Sequence, residues 1–191
     1  MIHQLISNRK STVLFDPESA ISSGDLHLLF EAARWAPSSM NQQPWSFVYA
    51  LRGEESFEKF IGCLAENNRR WARNASVLIH VAAQVISDYK ERRNVYAWHD
   101  CGLAFSNMVF QATSLGISVH PMGGFDRDIT RRDLGLPDKF EPVIFAALGY
   151  RSDKQNFPED LLKREQSPRE RKEPDEFVFK NYFGQIARER K

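Results

Sequence analysis

The sequence has little with which to cross-link, chelate or grip a polyanion. Cysteine occurs only as Cys63 and Cys101, with no CxxC pair. No leader of basic, apolar and small residues opens the chain either, so a reducing, cytoplasmic setting is expected. The five histidines, His3, His27, His80, His99 and His120, show neither i, i+4 spacing nor cysteine partners, and no metal is expected. Basic and acidic residues nearly cancel, 26 against 25 with a net charge of +1. That balance argues against nucleic acid and for a small molecule or another protein as the partner. The uncharged run from Cys101 to Gly116 is too short and too polar to cross a bilayer, so no membrane association is expected. Walker-type loops, GxGxxG signatures and internal repeats are all missing. With 191 residues, the chain is long enough for one domain with a real core and short for two, and a single domain over 1–191 is expected.

What is present centres on Ala32 to Trp45, AARWAPSSMNQQPW. Proline lacks the backbone N–H and forces its predecessor out of the α region, so Pro37 ends a helix and Pro44 prevents its return. Between them Ser38, Ser39, Asn41, Gln42 and Gln43 carry hydroxyl and amide groups but no charge and no base. Such a loop suits a flat, neutral ligand rimmed with heteroatoms; a capped turn that satisfies its own backbone is the other reading.

The rest of the chain reads in order. Arg9, Lys10 and Ser11 precede the apolar Val13, Leu14 and Phe15, and are either an anion site or a solvated face. Ser22 and Asp25 open a helix with Leu26, Leu29, Phe30 and Ala33 on one stripe. A strand is expected over Trp45 to Leu51, then a helix through Phe57, Phe60, Ile61 and Leu64, then the polar cluster Asn67 to Arg70. The segment Val77 to Val85 is apolar on both faces and should be a central strand, with His80 a core residue. Cys101 to Gly116 reads as a helix buried nearly all round, covered by a second subunit or by the core of a monomer. A short strand, Ile117 to His120, leads to Pro121, Met122, Gly123 and Gly124, where paired glycines allow close backbone approach to a ligand or simply a turn. A helix from about Arg127 stops at Gly135 and Pro137, and Pro142 to Tyr150 is a last central strand. Fifteen of the twenty-six residues from Arg151 to Glu176 are charged, the composition of a solvated or partly disordered tail. Yet Phe177, Val178, Phe179, Tyr182 and Phe183 follow, and they need somewhere to dock. Arg169 to Lys172 form a second basic cluster, able to close on the same anion as Arg9.

Arg9-Lys10-Ser11, PSSMNQQPW, Asn68 ahead of Trp71, PMGGFD, and the basic residues before a C-terminal aromatic segment together resemble the FMN-dependent nitroreductase family over nearly the whole chain. The resemblance implies an α+β, three-layer α/β/α fold. Its sheet would be mixed but mostly antiparallel, flanked by helices, with the 151–191 extension wrapped onto the partner of a homodimer. It places FMN at the subunit interface. Arg9, Ser11, Arg169 and Arg171 match phosphate-side positions, with Lys10 beside them. Pro37, Ser38, Ser39 and Asn41 match a loop against the flavin of the neighbouring subunit, and Asn68 an amide at the ring's polar edge. Pro121, Met122, Gly123 and Gly124 match the loop over the flavin.

The resemblance further implies a ping-pong oxidoreductase that uses NADH or NADPH to reduce nitroaromatics, quinones or similar small acceptors. The chemistry sits at flavin N5, with no protein acid, base or nucleophile in the reaction. Another reaction on the same fold, such as reductive dehalogenation or flavin breakdown, and a non-catalytic flavin sensor remain open. One position departs from the family pattern: Val13 stands where a cation usually lies near the pyrimidine side. Its absence implies a lower flavin potential or a narrower acceptor range unless Arg69 or Arg70 substitutes. Trp98, His99, His120 and Phe125 are candidates for the acceptor's surroundings or for packing.

Overall fold

Val77–Gln84, VLIHVAAQ, has no face suited to water, and in the computed structural model, which describes residues 1–88, 91–154 and 156–186, it forms strand β2 inside the sheet. β1 (Trp45–Leu51) and β4 (Phe140–Gly149) flank it, and β3 (Ser118–Met122) lies on the far edge, in the order β1-β2-β4-β3. Within the chain all three pairings are antiparallel. Pro121 sits on the edge strand, where a missing N–H breaks no ladder on the solvent side.

Successive residues of β2 and β4 point to opposite faces, and each face has its own core. Leu78, Phe145 and Ala147 pack against Phe57, Phe60 and Ile61 of α3 (Glu55–Cys63), Trp71 of α4 (Glu66–Ala72) and Leu161 of α7 (Glu159–Gln166). Val77, Ile79, Ala146 and Leu148 pack against Leu26 and Leu29 of α2 (Ser23–Arg34) and Ala104 and Met108 of α5 (Ala97–Ser114). Full burial of each large side chain contributes about 1.5–3 kcal/mol, which makes these two layers the main source of stability. The helix boundaries follow local chemistry. Ser22 Oγ accepts from the Asp25 N–H at 3.0 Å to start α2, and α5 ends at Gly116, whose φ of +71° only glycine adopts cheaply. The remaining helices are α1 (Gln4–Asn8) and α6 (Arg127–Asp133).

Two expectations change. Helix α5 begins at Ala97, four residues before the uncharged run, and takes in Asp100. Ala97, Cys101, Ala104, Met108 and Ala112 are buried, but Gly102 is exposed and Leu103, Ser106 and Phe110 are only half-buried. In a single chain the helix therefore has an open face. The charged segment after Tyr150 is not simply solvated, because α7 docks against α4 and the Lys10–Val13 segment with Leu161 and Glu165 buried. Beyond it Phe177, Val178, Tyr182, Phe183 and Ile186 stand exposed. Residues 187–191 of the expected C-terminal extension lie outside the described residues. Among the described residues no helix is long and apolar enough to cross a membrane, and no cluster of ligands could hold a metal ion.

Candidate functional site

The two ends of the polypeptide meet at one cleft. Arg9 follows α1 and donates to Ser11 Oγ at 3.1 Å. Arg169, just beyond α7, donates from its two terminal nitrogens to the carbonyls of Arg9 and Ser7, each at 2.6 Å. Arg171 faces the same cleft of about 470 Å³, which Ile2, Ile6 and Ser7 complete. Burial, and then the charges of Arg169 and Arg171, hold the Arg9 guanidinium below its ordinary pKa. No carboxylate lines this cleft among the described residues. Three converging guanidiniums without a counter-charge form a site that an anion stabilises. Lys10, expected beside them, does not line this cleft and is already engaged: its Nζ donates to the Glu165 carbonyl and pairs with the Glu165 carboxylate at 3.3 Å.

The second group lies where β3 ends. The carbonyl of Gly124 accepts from the Ala65 N–H at 3.0 Å and from Asn68 Nδ2 at 3.1 Å. A Cβ on Gly124 would stand 3.1 Å from Asn68 Nδ2 and 3.4 Å from Ala65 Cβ, so this glycine is required by close approach. Around Gly123 there is open space. Asn68 keeps its amide oxygen and its second N–H for a ligand. Met122 is buried in the core, which leaves only its backbone to face a bound group.

The third group, Pro37 to Asn41, is an internally bonded turn under strain. Gln43 N–H donates to Ser38 Oγ at 3.0 Å, and Gln43 Nε2 to the Asn41 carbonyl at 3.3 Å. Met40, Asn41 and Gln43 all have left-handed φ, at 52°, 54° and 47°, a geometry that costs a side-chain-bearing residue on the order of 1 kcal/mol. Asp100 anchors the turn: its buried carboxylate accepts from the Ser39 N–H at 2.9 Å and contacts His99 Nδ1 at 2.9 Å. Sequence reasoning missed Asp100. The available signal was a lone acid in the first turn of an otherwise uncharged helix.

These groups do not all come together in one chain. Ser39 is held at the first turn of α5, whereas Arg9 and Lys10 lie against Thr113 and Gly116 at its end. At about 1.5 Å per residue, that separation is roughly 20 Å.

The other candidates are mostly structural. His120 is stacked on Trp71 at 4.3 Å, and its Nδ1 contacts the Thr12 carbonyl at 2.7 Å. Burial, reinforced by Arg164, lowers its pKa. Trp98 donates to Glu141 at 2.8 Å, and the Arg127 guanidinium lies over both Trp98 and Phe125. Val13 is buried in the core. Arg69 donates to the carbonyls of Leu64 and Gly62, and Arg70 pairs with Asp160, so both are already engaged. His80 is fully buried against Phe125 and Phe145 without a well-aligned hydrogen bond, and burial lowers its pKa to about 4.

The profile of the Nitroreductase family matches residues 6–150. A protein of Archaeoglobus fulgidus, provisionally named an NADH dehydrogenase/NAD(P)H nitroreductase, is 30% identical over 162 residues, covering 82% of this chain and 88% of its own length. A crystal structure described as an oxidoreductase containing FMN superposes with a TM-score of 0.89 at 34% identity, covering 97% of this chain and 94% of its own. A nitroreductase family protein of Clostridium difficile shares the fold at a TM-score of 0.73 and 22% identity, covering 95% of this chain and 99% of its own. Profile, relatives and fold agree, and the chain belongs to the nitroreductase family.

Proposed function

We propose that this nitroreductase-family chain is an FMN-dependent oxidoreductase. It takes reducing equivalents from NADH or NADPH and passes them in ping-pong fashion to nitroaromatic, quinone or similar electron-poor acceptors. The carrying observation is the convergence of Arg9, Arg169 and Arg171 on a cleft with no lining carboxylate. A phosphomonoester dianion meets that demand, and guanidinium forks match its oxygens. The ring-side groups fit as well. Gly124 is pressed against Asn68 closely enough that a Cβ would push the amide aside by a few tenths of an ångström, and Gly123 leaves open backbone beside it.

When bound, FMN supplies hydride acceptance and donation, which no side chain of this protein provides. The residues bind and orient it. Arg9, Ser11 and Arg171 address the phosphate, while Arg169 clamps the Ser7 and Arg9 carbonyls and so fixes the direction of Arg9. Asn68 and the Pro121–Gly124 backbone meet the polar rim of the ring. With Val13 in the core and Arg69 and Arg70 engaged, none of the three supplies a cation to that rim, which supports a low flavin potential.

The working unit is a homodimer. The open face of α5 needs a cover, and a two-fold pairing of antiparallel α5 helices brings the Pro37–Asn41 turn of one chain towards the arginine cluster of the other. The exposed Phe177–Ile186 segment is then available to the partner's surface. The test is direct: purified protein should be yellow, dimeric and bleached by NADH or NADPH, and should regain its colour with a quinone. Colourless protein that takes up no added FMN would overturn the reading.

A further inference from the structure

Glu165 is a charged side chain, only 3% exposed, on a helix whose neighbouring sequence is otherwise solvated. One carboxylate oxygen accepts from Thr12 Oγ1 and from the Val13 N–H, each at 3.0 Å. The other accepts from Arg151 Nε at 3.1 Å and pairs with Lys10 Nζ at 3.3 Å. Lys10 and Thr12 reach Glu165, whereas Arg9 and Ser11 are joined to each other by a 3.1 Å hydrogen bond. Burying an unpaired carboxylate is costly, and here two cations and two neutral donors surround it. Lys10 and Arg151 are thereby neutralised, while the cleft next to them is lined among the described residues by Arg9, Arg169 and Arg171 with no carboxylate.

The geometry points to Glu165 as a positioning residue for the phosphate cleft: it neutralises Lys10 and Arg151, pins Thr12 and Val13, and so presents Arg9 and Ser11 to a phosphomonoester. This rests on the FMN reading above. It divides four neighbouring positions into two functions: Arg9 and Ser11 touch the ligand, whereas Lys10 and Thr12 act through Glu165. A residue that merely stabilised the fold would matter equally for any flavin. A residue that sets the phosphate cleft matters for FMN and not for riboflavin, which has the same ring and no phosphate.

The experiment mixes full-length wild type, Glu165→Gln and Lys10→Met with FMN or riboflavin and measures free flavin in the ultrafiltrate. Glu165→Gln keeps the shape but loses the charge that holds Lys10 and Arg151, and FMN binding should weaken by at least about tenfold. Riboflavin binding should stay within about twofold of wild type, since the ring-side contacts are untouched. Equal loss for both flavins, or no loss for either, overturns the proposal. Lys10→Met covers the case in which Glu165→Gln does not fold, because Lys10 is partly exposed and its removal leaves Arg151 on the carboxylate. It should retain FMN within about threefold, and a loss as large as that of Arg9→Ala would make Lys10 a phosphate ligand and overturn the division. Wild type that fails to prefer FMN over riboflavin sinks the FMN reading itself, a result distinct from failure of the Glu165 variants alone.

Discussion

The two ends of α5 solve opposite problems. At its start the Pro37–Gln43 turn is neutral, satisfies much of its own backbone, and is held in strained left-handed geometry by one buried carboxylate. At its end three arginines converge with no counter-charge in the cleft among the described residues. The first region is complete and shaped in advance; the second is incomplete until an anion arrives. On the proposed FMN reading, the preset turn would leave little to order on binding, and the unbalanced charge would favour the phosphate.

The largest expected effect breaks the charged end. Arg9→Ala combined with Arg171→Ala should weaken FMN retention by roughly 3–6 kcal/mol, at about 1.5–3 kcal/mol per charge-assisted hydrogen bond, measured by flavin release on dilution. The sheet between the two ends supplies a control that owes nothing to the ligand. His80 stays neutral in the folded chain down to about pH 4, but protonates near its ordinary pKa when unfolded. The unfolded state then binds more protons between about 6.5 and 4, so stability is full above that window and falls as pH drops through it. The total loss approaches about 3 kcal/mol at about 1.4 kcal/mol per unit. Urea midpoints of wild type and His80→Phe across that range should diverge, and parallel curves would remove His80 as the cause.

Smaller effects sharpen the neutral end. Asp100→Ala leaves the Ser39 N–H without its acceptor and should cost about 1–3 kcal/mol of stability while loosening the turn. A melting temperature equal to wild type would show that the turn holds itself. Gly124→Ala forces Asn68 aside against a 3.1 Å contact and should cost about 1–2 kcal/mol, with a shifted flavin absorption maximum as the local readout. Smallest of all, Met40→Gly relieves left-handed strain and should raise stability by up to about 1 kcal/mol, visible as a small rise in melting temperature.

Restoring a cation with Val13→Arg would place a charge in a packed core, so its outcome would report burial and not redox tuning.

Much of the frame was legible because it is local. The boundaries of β1 follow from Pro44 and the apolar run behind it, α2 from its serine cap and stripe, and the end of α5 from Gly116. The α7 helix was hidden because its composition is that of a solvated tail. Its acids at the start, Lys163 and Arg164 at the end, and the Glu159–Lys163 pair at 2.6 Å were the signs present. Asp100 was marked only as a lone acid in an uncharged helix and Glu165 was not legible at all, since a buried carboxylate looks like any other acid until its partners are known, and those of Glu165 include Thr12 and Val13 at the opposite end of the chain.

The sequence by itself determined the sheet strands and most of the helices, a central strand apolar on both faces, and the inventory of groups suited to an anion and a flat polar-rimmed ligand, because periodicity, capping and proline act over a few residues. Only the tertiary structure decided which of those groups share a cleft. It sent Lys10 to Glu165 and Arg9 to the cleft it shares with Arg169 and Arg171, and set the strained turn a helix length away from the arginines. Those choices rest on charges and hydrogen-bond donors brought together from distant parts of the chain, where the sum over all neighbours, and not the residue's own preference, fixes each side chain's direction.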